Sequence, residues 1–108
     1  HRFADAGQIR VLTLDTETEN KIVASLKKSE QGSYLAMEPQ AIQQLIAALN
    51  EQIERVKDVI PSPIVLTSPI VRIYFKKMID QFMPNITVLS FNEIDNSVQI
   101  QAVGNIAI

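Results

Sequence analysis

Ser68–Ile94 reads SPIVRIYFKKMIDQFMPNITVLSFNEI, and this stretch decides the fold class. Ser68 is suited to cap a helix N-terminus, and Pro69 suits the first helical position, where a missing N–H costs nothing. Val71, Phe75, Met78, Ile79 and Phe82 then recur at helical spacing and form one apolar stripe, with Phe75 and Phe82 as its large core anchors. Arg72, Lys76, Lys77, Asp80 and Gln81 fall on the opposite side. Pro84-Asn85 stops the helix, and Ile86–Phe91 has the apolar, β-branched composition of a strand. A capped amphipathic helix running through a proline stop into a buried strand is the repeating unit of an α/β domain.

The same unit recurs upstream. Ile9–Leu14 reads as a strand, and Asp15-Thr16 opens a helix over about residues 17–28. Thr16 and Glu19 are spaced as a capping box, Ile22, Val23 and Leu26 form the buried stripe, and Lys27 and Lys28 face the negative end of the helix dipole. Gly32 breaks that element, and Tyr34–Met37 is a short strand. Pro39 begins a long helix over 39–58, in which Ile42, Leu45, Ile46, Leu49, Ile53 and Val56 keep one face apolar until Pro61 and Pro63 end it. Ile64–Thr67 is a compact apolar strand of the kind buried on both faces. After Ile86–Phe91, Asp95-Asn96-Ser97 supplies turn chemistry. Val98, Ile100 and Ala102 then alternate with Gln99 and Gln101, predicting a strand with one buried face. The expected architecture is α/β: a small mixed sheet of about five strands, in the order βαβαβαββ, with three helices packed on it. The last two strands, joined by a short turn, are expected to be antiparallel. Residues 1–8 read as the end of a preceding unit or a loose tail, and residues 9–108 as one subdomain.

Composition narrows the chemistry. The chain has 108 residues, a net charge of −2, 46% hydrophobic residues and no cysteine. Disulfide and thiolate chemistry are excluded, and the charge balance lacks the basic stripe that a nucleic-acid surface needs. No apolar run approaches the roughly 20 residues that span a bilayer, and no signal-peptide pattern follows His1. Starting on His1 rather than Met suggests a piece of a longer protein. The strand-to-helix junctions Leu14-Asp15-Thr16 and Thr67-Ser68-Pro69 carry no glycine, which argues against a phosphate-binding loop. His1 is the sole histidine, so no internal base exists to activate a serine, and no cluster has metal-ligand spacing. Asp15, Glu17 and Glu19 are explained as negative charge at a helix N-terminus. The expectation is a non-enzyme, with no catalytic residue, cofactor or metal. Arg72 and Glu93 are placed to meet as a structural ion pair. Tyr74, Lys76 and Lys77 are the candidate partner contacts. Tyr34 is open between core and surface, and Phe91 is expected in the core.

Several of these residues together resemble the FlhA/LcrD/InvA family, the large membrane proteins of flagellar and virulence type III export gates. They are Leu66, Ser68-Pro69 with Arg72, Tyr74-Phe75, Lys76-Lys77, Pro84, Val88-Leu89-Ser90 and Glu93-Ile94. Upstream, Leu12-Thr13-Leu14-Asp15 with Glu19, and Glu38-Pro39, are similar to the family's strand-to-helix junction and second helix start. The likeness is collinear from Gly7 to Val103, and Ser90–Ile94 looks more like the flagellar branch. The resemblance implies the last cytoplasmic subdomain of a protein whose N-terminal part lies in the bacterial inner membrane. It implies self-association in a ring, nonameric in the family, and docking of export chaperone–substrate complexes and export ATPase components. The family's main chaperone cleft is implied to lie in earlier subdomains. The alternative is a stand-alone α/β domain that binds or converts a small molecule.

Overall fold

The computed structural model describes residues 8–60, 62–94 and 97–108. The order is β1 (Gln8–Leu14), α1 (Thr16–Ala24), β2 (Leu26–Ser29), β3 (Gly32–Leu35), α2 (Pro39–Val56), β4 (Ile64–Thr67), α3 (Pro69–Ile79), β5 (Thr87–Ser90), a 3₁₀ turn (Phe91–Glu93) and β6 (Gln99–Ile106). The α/β class and the three helices agree with the sequence. The strands number six among the described residues, split between a four-stranded sheet in the order β5-β4-β1-β6 and a separate β2-β3 pair. The tail expected over residues 1–8 and the turn residues Asp95 and Asn96 lie outside the described residues, as does Pro61, except that Gln8 already belongs to β1.

All four strands of the main sheet are parallel. The antiparallel pairing expected for the last two strands is therefore wrong: β5 and β6 stand at opposite edges, and β6 pairs with β1. Crossover handedness then fixes the face on which each connection lies. The steps β1→β4 and β4→β5 run in one direction along the sheet, so right-handed crossovers place α1, α2 and α3 on the same face. The return to the far edge runs the other way, so its connection belongs on the opposite face. Packing agrees. Ile22 of α1, Leu45, Leu49 and Val56 of α2, and Val71, Phe75, Met78 and Ile79 of α3 form one cluster with Leu12, Leu14, Val65, Val88 and Ile106. A second cluster, Ile9, Val11, Ile64 and Leu66, contains no helix residue; Leu89, Ile94 and Val98 pack against it. Ile94 and Val98 belong to the connection itself, which thus acts as a strap beneath the sheet.

Other local expectations change for physical reasons. α1 stops at Ala24, where the Ser25 hydroxyl donates to the Lys21 carbonyl at 2.9 Å. Leu26–Ser29 leaves the helix to pair with Gly32–Leu35, so Lys27 and Lys28 sit on a hairpin rather than at a helix end. Gly32 permits that turn: its φ of 115° is open to glycine and strained for other residues. The Thr16–Glu19 capping box is absent. Asp15 is the N-cap and accepts from the Glu17 amide at 3.3 Å, while Glu19 reaches across to accept the Ser68 amide at 2.9 Å, satisfying a free donor at the start of α3. Ser68 holds the N-cap position of α3, with Pro69 at the first helical position, but its side chain makes no capping hydrogen bond. In β6, Ile100 and Ala102 are exposed, and the strand anchors instead through Ile106 at its far end.

Candidate docking surface

α3 carries the residues singled out by the sequence and turns them in different directions. Phe75 is fully buried, fixing the helix against the sheet. On the outer side, Arg72 meets Glu93, with Nε–Oε1 at 2.8 Å and side chains 36% and 38% exposed. The 3₁₀ turn makes the meeting possible. It folds Glu93 back so that its carboxylate accepts the Ser90 amide at 2.9 Å and the Ser90 hydroxyl at 3.0 Å. The Ser90 hydroxyl is also in close contact with the Asn92 side-chain oxygen. The Ser90 backbone bond is the largest cause holding the Glu93 carboxyl below its ordinary value. Burial opposes it, and the Ser90 hydroxyl and the Arg72 charge assist it.

The three candidate contact residues do not act alike. Lys76 is engaged within the chain: its Nζ donates to the Ile86 carbonyl at 2.6 Å and pairs with Asp80 at 2.8 Å, tying the end of α3 to the segment before β5. Lys77 is exposed and has no ion pair among the described residues. Tyr74 and Lys77 line a shallow hollow of about 230 Å³ with Tyr34, Ile42, Met78 and Phe82. A neighbouring hollow of about 270 Å³, lined by Ile46, Ala47 and Asn50, shares Ile42 and Phe82 with the first. No acidic side chain lines either one.

Phe82 is the residue that sequence reasoning misplaced. It is 55% exposed and stands between the two hollows instead of in the core. α3 ends at Ile79, and the next residues turn tightly, with the Phe82 and Met83 amides donating to the Ile79 carbonyl at 2.9 and 2.6 Å. The helical register therefore no longer applies at position 82, and Met83 packs on the core in its place. The stop signal Pro84-Asn85, so close behind, was the available clue. Tyr34, half exposed, joins the same rim through the β2-β3 hairpin. Phe91 is 53% exposed because the chain leaves β5 for the 3₁₀ turn one residue earlier. The rim thus sets Tyr34, Tyr74 and Phe82 around the exposed Lys77, over the buried Met78. No described helix is long and apolar enough to cross a membrane.

The FHIPEP family matches residues 1–99. The flagellar biosynthesis protein FlhA of Bacillus subtilis is 29% identical over 104 residues, covering 95% of this chain and 15% of that protein. The invasion protein InvA of Salmonella typhimurium is 28% identical over 106 residues, covering 98% and 16%. Near-equal identity to both branches gives no ground for placing the chain in the flagellar one. The fold agrees with solved structures. The C-terminal domain of InvA superposes with a TM-score of 0.86 at 28% identity, over 98% of this chain and 32% of that one. Nonameric EPEC SctV-C superposes at 0.84 with 28% identity, over 97% and 31%. CdsV in the Chlamydia pneumoniae CdsV–CdsO complex superposes at 0.83 with 30% identity, over 97% and 31%. The chain thus spans about a sixth of the length of these curated relatives. With the family matched along residues 1–99 of 108 and the fold shared with its C-terminal domains, this chain belongs to the FHIPEP family.

Proposed function

We propose that this chain is a non-catalytic docking and assembly subdomain of a type III export gate, held at the cytoplasmic face of the bacterial inner membrane by other parts of the same protein. The observation that carries this reading is the match of nearly the whole chain to the C-terminal domain of InvA. In a ring of full-length protein, of the kind formed by nonameric SctV-C, it contributes to assembly. The complex of CdsV with CdsO supports docking of a further protein on a gate of this kind, and the family resemblance implies that such a component belongs to the export ATPase. Chaperone–substrate complexes are received by the full-length protein, with this subdomain contributing the rim around Tyr74 and Lys77. Arg72 and Glu93 hold the end of the sheet in shape and do not touch the partner.

The test is a secretion assay in cells carrying the full-length gate with Tyr74→Ala, Lys77→Glu or Lys76→Ala. Tyr74→Ala and Lys77→Glu are expected to lower export while the protein accumulates normally. Lys76→Ala is expected to act through stability, because that side chain is already tied within the chain. Normal export and ring assembly with both of the first two substitutions would remove the rim as a contact. Turnover of a nucleotide or ester by the purified chain would overturn the non-catalytic reading.

A further inference from the structure

β6 is an edge strand of unusual exposure. Its inner side pairs with β1, and no described strand pairs with its outer side. An edge strand turns alternate N–H and C=O groups outward, a template that proteins normally guard with charge, proline, short length or a bulge. β6 runs for eight residues as QIQAVGNI, with no charged residue and no proline. The opposite edge, β5, has only four residues and ends in the 3₁₀ turn.

Among the described residues, β6 is guarded by a bulge and by one side chain that meets it. Val11 pairs with Ala102 and Leu12 with Gly104, so Val103 is the extra residue. Arg55 of α2 takes up the Val103 carbonyl, with Nη2 at 3.2 Å. This protects the second half of the strand. The first half, Gln99–Ala102, keeps straight register with Gln8–Val11, and all four of its residues are exposed. Ile100 pairs with Ile9 of the helix-free cluster, yet is itself 44% exposed. A further strand laid beside β6 would cover it.

We propose that the outer edge of β6 over Gln99–Ala102 is a strand-docking site for an extended segment of a partner polypeptide. Main-chain pairing supplies the affinity, and the flanking side chains set the preference. The preferred segment alternates: apolar residues on the face of Ile100, and polar or acidic residues on the face of Gln99 and Gln101, where the exposed Arg10 lies one strand further in. A second copy of this chain fits less well. Pairing two β6 strands about a twofold axis centred on Gln99–Ala102 sets each bulge at Val103 against Val98 of the other copy, breaking both ladders where they should extend. A straight partner strand has no such conflict. The proposal stands independently of the export-gate reading.

The experiment titrates the 108-residue chain into a fluorescent synthetic peptide of alternating Thr and Val with terminal Glu residues, read by anisotropy and by amide NMR shifts. A control peptide has the same side chains but N-methylated alternate amides, which removes its main-chain donors. Saturable binding is expected, with shifts centred on residues 98–102. The N-methylated peptide and Ile100→Lys should each weaken binding by about tenfold or more, the variant at unchanged melting temperature. If Ile100→Lys lowers the melting temperature, Gln99→Glu, which sets a like charge against the acidic peptide on its polar face, replaces it. Absent binding, equal binding of the N-methylated peptide, or shifts mapping to the Tyr74–Lys77 hollow would overturn the proposal. A dimer in sedimentation that the peptide does not dissociate would also overturn it, assigning the edge to a second copy.

Discussion

Glu93 shows how much one carboxylate can organise. It accepts the Ser90 amide and hydroxyl and meets Arg72 at 2.8 Å. Both partners of the ion pair are more than a third exposed, so the pair belongs with surface bridges worth about 0–1 kcal/mol, not with buried ones. Coupling in an Arg72→Ala/Glu93→Ala double-mutant cycle is expected at or below about 1 kcal/mol. The pH dependence has a definite sign. The folded carboxyl titrates below its ordinary value of 4.5. Its stabilisation is therefore full above that value and disappears as pH falls through the lowered one. Glu93→Gln should melt below wild type at neutral pH, and the gap should close on acidification below 4.5. Melting curves by circular dichroism at neutral pH and near pH 3 decide it. Gly104 is constrained by space. A Cβ there would lie 2.7 Å from Leu12 Cδ2 and 2.6 Å from Gln52 Oε1. Leu12 is fully buried and cannot withdraw. Gly104→Ala is expected to cost about 1–3 kcal/mol by overpacking, measurable by urea unfolding.

Among the elements, α3 separates its two phenylalanines. Phe75 lies inside the helix on the buried stripe, and Phe82 lies beyond its end. Phe75→Ala should cost about 3–5 kcal/mol, through lost burial and the cavity it leaves. Phe82→Ala should stay within about 0.5 kcal/mol of wild type, as surface substitutions do. Paired thermal melts of the two variants test the assignment, and similar losses for both would refute it. The hairpin β2-β3 is the other element whose place the local sequence did not announce. Leu26-Lys27-Lys28 has helical propensity, but the Ser25 C-cap and the Gly32 turn take the chain into a two-stranded pair that presents Tyr34 beside α3.

For the whole molecule, the arrangement predicts a gradient of local stability. β1 and β4 are central in the sheet, with Val11, Leu12, Val65 and Leu66 almost wholly inaccessible. The β2-β3 pair stands outside that sheet and is exposed along most of its length. Hydrogen exchange followed by mass spectrometry should find the slowest amides in β1 and β4 and the fastest-opening pairs in the hairpin, with β6 between them. Equal protection of hairpin and central strands would show that the molecule opens only as one unit.

The sequence by itself determined the α/β class, the three helices and most of their buried faces. Capping residues, prolines and 3.6-residue periodicity act within a few residues, and α2 in particular keeps the extent its pattern implied. The collinear motif from Leu66 to Ile94 also carried the family. Non-local competition decided the rest. Nothing in Asp95-Asn96-Ser97 distinguishes a tight turn from a strap, and only the order of strands sends β6 to the far edge beside β1. Glu19 is spaced as a local cap but satisfies the N-terminus of a different helix. Phe82 continues a stripe in sequence, but the helix has ended before it. In each case the local signal was compatible with two outcomes, and burial of the two sheet faces selected one.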